Sequence, residues 1–389
     1  MKIARIATVP FFLQNHLRQQ ICATVAAGHE VALISSSGLE VPLLAAIPGV
    51  RFYRIEIPRK ISPLRDFLAF WELLKLFRRE RFDIAHSTTP KAGILCAIAG
   101  LIARIPIRLH TYTGQPWMEL HGVMRFLAKA GDLLTASLNT MNYADSFSQR
   151  GFLLEQRIVL EEKLTVLGSG SLAGVDIQRF DRTRFSDQLT NVLEQLEISE
   201  HSLVITFVGR LTRDKGISEL VEAFTRLSCK NNYCVLLLIG PQEPMQDPLP
   251  LETLASIHKN PQIVEVGYSA NPEKYLAITD IFCIPSYREG FGNVVIEAAA
   301  MGVPTVASDI VGLRDAVVND VTGVLVPAKD VDALVSALDK LISNPQLRQQ
   351  MGEHAKARTI KDFDSTKVNA EVLKEYNRLA HVYLRQPFL

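Results

Sequence analysis

Two glutamates lie eight residues apart in the segment PSYREGFGNVVIEAAAMGVP, residues 285–304. Carboxylates are seldom buried unless they meet a donor. Glu289 falls in a glycine-containing loop, and Glu297 falls inside a helix that is predicted to begin near Gly292 or Asn293. At that position a carboxylate can accept hydrogen bonds from both hydroxyls of a ribose diol. A plain structural interpretation stays open, with Glu297 as a salt-bridged helix residue and Glu289 as a loop acid.

The loop before this helix is suited to binding an anion. Gly290 and Gly292 lack a Cβ, so a ligand can approach the backbone closely. The first amides of a helix have no intrahelical partner and attract negative charge. Three consecutive alanines, residues 298–300, let the helix pack close to a sheet. This stretch therefore predicts a ligand site at a helix N-terminus.

A second candidate anion site lies in FVGRLTRDKG, residues 207–216. A buried strand is predicted to end at Gly209, directly before Arg210, and Lys215 stands at the start of a helix. Arg can grip phosphate with two parallel hydrogen bonds, and Lys adds a compact charge. Cations beside a helix N-terminus form an anion site. From the spacing alone, both could equally be ordinary surface charges.

These motifs need a scaffold of alternating strands and helices. Continuous Val/Ile/Leu runs separated by helical patterns predict parallel sheets buried on both faces, hence an α/β fold. Ligands of such sheets bind at the carboxyl ends of the strands. Helices are predicted at 12–27, 64–80, 91–103 and 122–138. Strands are predicted at 2–8, 30–35, 50–56, 83–87, 107–111, 164–168, 202–209, 234–240, 263–267, 280–286, 304–308 and 323–327.

Two series of strands predict two doubly wound domains. The chain turns polar near residues 176–200, so we place the first domain at 1–178 and the second at 179–367. The tail has a helical pattern with no further strand. We expect its helix, about 368–389, to pack back on the first domain.

Charge is unevenly distributed along the chain. Residues 1–180 carry 21 Lys/Arg against 14 Asp/Glu, whereas residues 181–389 carry 21 against 27. A basic half favours contact with something anionic, although counts of this size also vary by chance. The basic residues are not interleaved with aromatics as in nucleic-acid-binding proteins, so no nucleic-acid partner is expected.

The bulk features indicate a cytoplasmic protein. The N-terminus reads as a strand and not as a signal peptide. The longest apolar run, residues 92–103, is shorter than the about 20 residues that span a bilayer and is predicted to be a buried helix. The scattered cysteines indicate reduced thiols, not a disulfide framework. They are Cys22, Cys96, Cys229, Cys234 and Cys283.

In its motifs the chain resembles the retaining GT-B glycosyltransferases of family 4. The resemblance covers essentially the whole length and is more specific in the second half. Three elements stand in the order of that family: the run GVDIQRF (174–180), the GR-x4-KG element with Arg210 and Lys215, and the E-x7-E pattern of Glu289 and Glu297.

This resemblance implies two Rossmann-like domains that face each other across a cleft, with the acceptor on the first and a nucleotide sugar on the second. It implies that Arg210 and Lys215 hold the diphosphate, that Glu297 holds the ribose and that Glu289 holds the transferred sugar. Uracil is the expected base, with guanine left open. Further donor contacts are expected from Gly290, the amides of Phe291, Gly292 and Asn293, and the loop at Tyr268.

In the first domain the resemblance points to His110, in RLHTYTG, as a histidine near the sugar. Thr113 replaces the second histidine of the common HTxHG pattern. A lone histidine at a strand end is as often structural as catalytic, so both roles stay open. The first loop, TVPFFLQNH, lacks the glycine pair of many relatives, and its Phe11 and Phe12 favour packing over acceptor contact.

No metal and no cofactor beyond the nucleotide sugar is expected. The DVD run at 330–332 and the DFD run at 362–364 match the D-x-D of metal-dependent transferases. The first is better explained as a helix cap and the second as a solvated face. The sequence also shows no metal-spaced Cys/His cluster, no Walker-type loop and no serine nucleophile elbow.

The expected function is retaining transfer of a hexose or N-acetylhexosamine from a UDP-sugar to a glycan or polyprenyl-pyrophosphate-linked sugar. Residues 86–117 and 166–176 resemble bacterial members that build surface polysaccharides such as O-antigen or capsule. The basic amphipathic run 73–82 would suit peripheral contact with an anionic membrane, and an ordinary sheet-packing helix is the alternative. A nucleotide-sugar-binding protein without transfer activity, and a sugar epimerase or phosphorylase of the same shape, are the alternative functions.

Overall fold

The computed structural model describes residues 1–58, 62–243 and 247–384. The chain forms two compact units. Unit 1 comprises Met1–Gly174 together with the segment from Ser365, and unit 2 comprises Val175–Asp364. The sequence prediction placed these boundaries a few residues later, at 178 and 367. No helix in the described ranges is long and apolar enough to cross a membrane.

Unit 1 is built on a seven-stranded parallel sheet in the order β3-β2-β1-β4-β5-β6-β7. The direction of winding reverses between β1 and β4, which is the switch point of a doubly wound sheet. The strands are β1 (Lys2–Ile6), β2 (Glu30–Ser35), β3 (Val50–Arg54), β4 (Ile84–Ser87), β5 (Ile107–Tyr112), β6 (Met141–Ala144) and β7 (Leu164–Thr165).

Helices connect these strands. The predicted single helix over 12–27 is two helices that meet at the fully buried Leu17. The apolar run 92–103 is confirmed as a buried helix, α5, on the sheet. The helices are α1 (Pro10–His16), α2 (Arg18–Ala26), α3 (Val41–Ala45), α4 (Pro63–Glu80), α5 (Pro90–Ile102), α6 (Gly122–Leu138) and α7 (Phe147–Glu155).

The structure decides between the two interpretations of residues 73–82. Leu73, Leu74, Leu76 and Phe77 are buried in the core of unit 1, whereas Lys75 and Arg78 are exposed. The apolar face of this run is therefore already covered by the sheet and by α5. The run belongs to a sheet-packing helix with a charged rim, and its apolar side chains are not available to a membrane.

Unit 2 contains a six-stranded parallel sheet in the order β10-β9-β8-β11-β12-β13. The strands are β8 (Leu203–Val208), β9 (Cys234–Ile239), β10 (Ile263–Gly267), β11 (Ile281–Ile284), β12 (Thr305–Ser308) and β13 (Gly323–Val326). The helices are α8 (Leu189–Gln195), α9 (Ile217–Ser228), α10 (Leu251–Lys259), α11 (Glu273–Leu276), α12 (Asn293–Ala300), α13 (Leu313–Ala316), α14 (Val331–Ile342) and α15 (Pro345–Asp362).

The predicted α/β class with two parallel-sheet domains is confirmed. One strand, β6, was not predicted, because its residues MNYA lack the β-branched run that marks the others. It forms a strand because it pairs with β5 on one side and with β7 on the other.

The last helix, α16 (Ser365–Tyr383), completes unit 1 through buried polar contacts. Arg5 on β1 donates a 2.9 Å hydrogen bond to the Tyr376 hydroxyl, which lies 2.7 Å from His86 Nδ1 on β4. The other nitrogen of His86 lies 2.7 Å from the Thr111 hydroxyl on β5. Burial holds the pKa of His86 well below its usual value, so the ring is neutral and one nitrogen accepts. Tyr376 therefore links three strands to the returning helix.

We expect Tyr376→Phe to lower the free energy of unfolding by about 1–3 kcal/mol, because it leaves buried polar groups of Arg5 and His86 without a partner. Urea denaturation of the full chain measures the loss. Tyr383→Phe is the matched control, since Tyr383 is exposed on the same helix. Equal midpoints for the two variants would contradict the role of the hydroxyl.

Candidate functional site

The two sequence motifs of unit 2 leave the sheet from neighbouring strands. β8 and β11 are paired in parallel at the switch point, with Ile205 opposite Ile281. Their carboxyl ends therefore lie at the same edge, and the loops 209–216 and 285–292 start side by side. A doubly wound sheet binds its ligands at this place.

Gly216 keeps the two loops in contact. Its φ is +69°, and a Cβ at this position would lie 2.1 Å from the carbonyl oxygen of Pro285. A side chain would both strain the backbone and push the loops apart. The glycine of the GR-x4-KG element therefore allows Lys215 to reach the loop that follows β11.

The contact between the loops is an ion pair. Lys215 Nζ lies 2.5 Å from Glu289 Oε1, and Ser286 Oγ donates a 2.9 Å hydrogen bond to the same oxygen. Both charged side chains are less than one-fifth exposed. A partly buried pair of this kind is held firmly, because separating it leaves a charge without a partner.

Arg210 enters an adjoining cluster of charges. Its Nη1 lies 2.9 Å from Glu243 Oε2, and its Nη2 lies 3.5 Å from Asp214 Oδ2. Arg288 also approaches Asp214, at 3.4 Å. Burial alone would raise the pKa of Asp214, but the Thr212 hydrogen bond and the neighbouring cations outweigh it, so the pKa lies below its usual value. This edge of the sheet thus brings three cations together with three acids, Asp214, Glu243 and Glu289.

The helix α12 begins beside these cations. Gly292 caps it with φ +83°, as expected from the sequence. Behind the loop, a Cβ at Gly312 would lie 2.5 Å from the carbonyl oxygen of Gly290, so the β12–α13 loop supports the turn. The backbone N–H groups of Phe291 and Gly292 have no acceptor within the described ranges, although both residues are buried. Buried N–H groups normally have a partner, so these two are available to a ligand.

Glu297 lies further along α12 and is only partly exposed. Burial raises the pKa of its carboxyl group to about 7, partly offset by the charge of Arg179 and reinforced by that of Glu273. Within the described residues its carboxylate has neither a hydrogen bond nor an ion pair, since Arg179 pairs with Glu273 at 2.8 Å. The helix salt bridge considered as an alternative is therefore absent from that part of the chain.

The two remaining candidates belong to other elements. Tyr268 directly follows β10, the edge strand, and its side chain is exposed. His110 belongs to β5 of unit 1 and is buried, with Nδ1 2.9 Å from the Ser87 hydroxyl. Burial lowers the pKa of His110 to about 3, so its ring is neutral at physiological pH. The Ser87 hydroxyl also lies 3.2 Å from the carbonyl oxygen of Leu109, to which it can donate.

Several contributing residues were not singled out from the sequence. Ser286 and Arg288 lie within three residues of Glu289 in the sequence, and this proximity could have identified them as site residues. Arg179 lies inside the GVDIQRF run. Glu243 could not be identified from the sequence, because it lies in the loop after β9 and contacts Arg210 only in the folded chain.

The two D-x-D runs have different surroundings. The run at 362–364 is not the expected solvated face, because Phe363 is fully buried and both aspartates are only partly exposed. Asp330 caps α14 by accepting a hydrogen bond from the backbone N–H of Ala333, as the sequence predicts. Among the residues that the structure describes, no group of three or more His, Cys, Asp or Glu side chains is arranged to hold a metal ion.

Comparison with known proteins identifies the class of this chain. Residues 190–358 match the family model described as Glycosyl transferases group 1, and residues 13–146 match the Glycosyl transferase 4-like domain. The capsular polysaccharide biosynthesis glycosyltransferase CapM of Staphylococcus aureus is 31% identical over 353 residues, which cover 90% of each chain. The chain therefore belongs to the family 4 glycosyltransferases of GT-B fold.

Two further proteins are similar to this chain over most of its length. The UDP-Gal:alpha-D-GlcNAc-diphosphoundecaprenol alpha-1,3-galactosyltransferase of Escherichia coli is 25% identical, over 86% of this chain and 83% of that protein. The crystal structure of HepE from Anabaena in complex with UDP superposes with a TM-score of 0.78 at 18% identity, covering 97% of this chain and all of that one. The structural similarity to HepE supports the assignment of the fold.

The raised pKa of Glu297 predicts a pH-dependent effect of Glu297→Gln on stability. The folded protein retains this proton at pH values above the usual carboxyl pKa, whereas the unfolded chain loses it there. The free energy of unfolding of the wild type therefore falls as the pH rises to about 7. We therefore expect the melting temperature of the variant, relative to wild type, to increase between pH 5 and pH 8. Differential scanning calorimetry at both pH values tests this.

Glu200→Gln is the control for this experiment, since Glu200 is exposed. It should shift the melting temperature equally at both pH values. A Glu297→Gln difference that does not change with pH would show that the carboxyl titrates normally.

Proposed function

We propose that this glycosyltransferase moves a sugar from a UDP-sugar to a lipid-linked sugar acceptor with retention of anomeric configuration. The observation that carries the proposal is the convergence of Arg210, Lys215 and the start of α12 on one sheet edge of unit 2. Two cations, together with two N–H groups that have no acceptor among the described residues, match the charge and the acceptor oxygens of a diphosphate.

The relatives support the choice of donor and acceptor. The name of the Escherichia coli enzyme gives UDP-galactose as its donor and a diphosphoundecaprenol-linked sugar as its acceptor. HepE has been crystallised with UDP and with UDP-glucose. We transfer the uridine diphosphate donor and the lipid-linked acceptor class to this chain as part of the proposal.

Each donor-site residue has a proposed role. Glu297 accepts hydrogen bonds from the ribose hydroxyls, since no side chain in the described part of the protein pairs with its carboxylate. Glu289 binds a hydroxyl of the transferred sugar while Lys215 orients its carboxylate. Gly290 and Asn293 line the donor loop, and Tyr268, exposed after β10, contacts the base.

Breaking the bond between sugar and diphosphate builds negative charge on the leaving group. Arg210, Lys215 and the N–H groups of Phe291 and Gly292 stabilise that charge in the proposed mechanism. Each preorganised donor of this kind contributes about 3–4 kcal/mol to transition-state stabilisation. This cation set takes the role that a divalent metal has in other transferases, and we propose transfer without a metal cofactor.

Retention is proposed to follow from attack of the acceptor hydroxyl on the face that the diphosphate leaves. The departing phosphate oxygen then takes the hydroxyl proton, so no protein base is required. In unit 1, the neutral ring of His110 is the proposed hydrogen-bonding partner of a sugar hydroxyl. A hexose or N-acetylhexosamine fits this set of polar groups.

The biological setting is part of the same proposal. The likeness to CapM supports a place in bacterial capsule or other surface polysaccharide synthesis, O-antigen included. A polyprenyl-pyrophosphate acceptor places the reaction at the cytoplasmic face of the membrane, where the protein would be a peripheral partner.

We expect Arg210→Ala combined with Lys215→Ala to lower kcat by more than about 10⁴-fold, because each removed donor costs about 10²–10³. Nucleotide sugars are first screened by thermal shift, and transfer to a lipid-linked acceptor is then measured in EDTA. A glycoside product distinguishes transfer from epimerisation and from phosphorolysis. Near-normal turnover in the double variant would refute the assignment.

Arg226→Ala combined with Lys340→Ala is the matched control. Both cations form surface ion pairs in unit 2, with Asp332 and Asp320, away from the β8 and β11 loops. This variant should fold and transfer like the wild type.

Glu243 competes with the diphosphate for Arg210. We expect Glu243→Gln to tighten UDP binding about two- to fivefold, since an exposed ion pair is worth about 0.2–1 kcal/mol. Isothermal titration with UDP measures the change. Glu222→Gln, which removes one partner of Arg226, should leave UDP affinity unchanged. Weaker UDP binding in Glu243→Gln would instead make Glu243 a residue that supports the bound nucleotide.

A further inference from the structure

Asp214 connects the loops that follow three neighbouring strands of unit 2. The strands β9, β8 and β11 are adjacent in the sheet, and Asp214 lies in the loop after β8. Its backbone N–H donates a 2.9 Å hydrogen bond to Asp247 Oδ2 in the loop after β9. Its carbonyl oxygen accepts a 2.9 Å hydrogen bond from the N–H of Tyr287 in the loop after β11. These bonds to both sides give Asp214 a fixed position at the carboxyl edge of the sheet.

The carboxylate of Asp214 is shared between two arginines from different loops. The buried Thr212 hydroxyl donates a 2.5 Å hydrogen bond to Oδ1 and so fixes the orientation of the group. The other oxygen, Oδ2, lies 3.5 Å from Arg210 Nη2 and 3.4 Å from Arg288 Nη2. The two guanidinium groups therefore stand beside each other, with one carboxylate oxygen in contact with both.

Arg288 uses little of its hydrogen-bonding capacity. A guanidinium group has five N–H donors. Within the described ranges, the only hydrogen-bonding contact of Arg288 is the 3.4 Å approach to Asp214, and its Nε is buried without an acceptor. The side chain is only 25% exposed. Since a largely buried charge normally has well-bonded partners, these unused donors indicate that a further acceptor binds here.

The backbone on both sides of Arg288 is anchored. The Tyr287 hydroxyl donates a 2.5 Å hydrogen bond to Glu219 Oε1 on α9, in addition to the backbone bond with Asp214. On the other side, Glu289 forms its ion pair with Lys215. Arg288 therefore lies in a part of the loop that is tied to the segment of the two donor-site cations.

We propose that Asp214 is a positioning residue that holds Arg210 and Arg288 beside each other, and that Arg288 is a third cation for the diphosphate. This inference deepens the proposed function and rests on it. Two guanidinium groups repel each other before an anion binds, and the shared carboxylate offsets that repulsion. A diphosphate then supplies several acceptor oxygens to the remaining N–H groups of both arginines.

Asp214 differs in this respect from the other acid beside Arg210. Glu243 contacts Arg210 at 2.9 Å, the length of a strong charge-assisted hydrogen bond, and so competes with the diphosphate. The contacts of Asp214 with the two arginines are longer, at 3.4 and 3.5 Å. They leave both guanidinium groups able to form closer bonds with phosphate oxygens. Removal of the two acids should therefore change UDP affinity in opposite directions.

Isothermal titration of the full chain with UDP tests the role of Asp214. We expect Asp214→Asn to weaken UDP binding by about tenfold or more, because both arginines lose their common support and hydrogen bonds to charged groups are strong. Asp214→Glu, which keeps a carboxylate, should restore part of the affinity. Uridine, which has no phosphate, should bind the wild type and both variants equally in saturation-transfer NMR.

Arg288→Gln tests the third cation directly. We expect it to weaken UDP binding by about tenfold and to leave uridine binding unchanged, because a charge-assisted bond to phosphate is lost. Arg226→Gln is the matched control, since it removes one positive charge from an exposed pair of unit 2 and should not affect UDP. In the double variant with Asp214→Asn, the losses should not add, because the two residues act through one contact.

Three outcomes would overturn the inference. The first is UDP affinity in Arg288→Gln equal to that of the wild type, which also decides the matter if the melting temperature shows that Asp214→Asn does not fold. The second is tighter UDP binding in Asp214→Asn, which would make Asp214 a competitor like Glu243. The third is an equal loss of uridine binding, which would mean general damage to the site. A wild type that does not bind UDP would instead refute the proposed function.

Discussion

The parallel pairing of β8 with β11 is the constraint on which the donor site depends. These strands are far apart in sequence, yet their hydrogen-bonded register makes the loops that follow them start at one edge of the sheet. Arg210 and Lys215 leave the first strand, and Glu289 and α12 leave the second. Gly216 permits the loops to touch, since any larger residue would collide with Pro285. The chemistry of the site follows from this adjacency.

Charge pairing keeps these residues in place. Lys215 and Glu289 satisfy each other in a partly buried position, and Arg210 is shared between Glu243 and Asp214. A partly buried cation without a partner would destabilise the fold. The acids therefore stabilise these cations in the positions where an anion can bind. Glu297 differs, because no described side chain pairs with it and burial raises its pKa. The site thus combines neutralised cations with one unsatisfied carboxyl group.

The distribution of charge between the units shows why net charge is a poor guide to ligand choice. Unit 2 has 18 Lys/Arg against 26 Asp/Glu, yet it contains the anion site. Charges on distant parts of its surface are screened within about 8–10 Å at physiological salt, so the local cations dominate. Unit 1 has the opposite surplus, with 24 Lys/Arg against 15 Asp/Glu.

The sequence by itself determined the α/β class, nearly all strands, the cap at Asp330 and the motifs of the donor site. These features are local, because strand runs, helix caps and glycine loops are set by neighbouring residues. It did not reveal β6, whose four residues become a strand only between two partners. It also left residues 73–82 open between a membrane surface and a sheet-packing helix, since an amphipathic pattern does not say whether another element covers its apolar face.

Only the tertiary structure decided which groups meet. The pairing of Arg210 with Glu243, the neutral state of His110 and the raised pKa of Glu297 all come from residues distant in sequence or from depth in the fold. Burial and long-range contact are properties of the packed chain, so residue type and spacing cannot fix them.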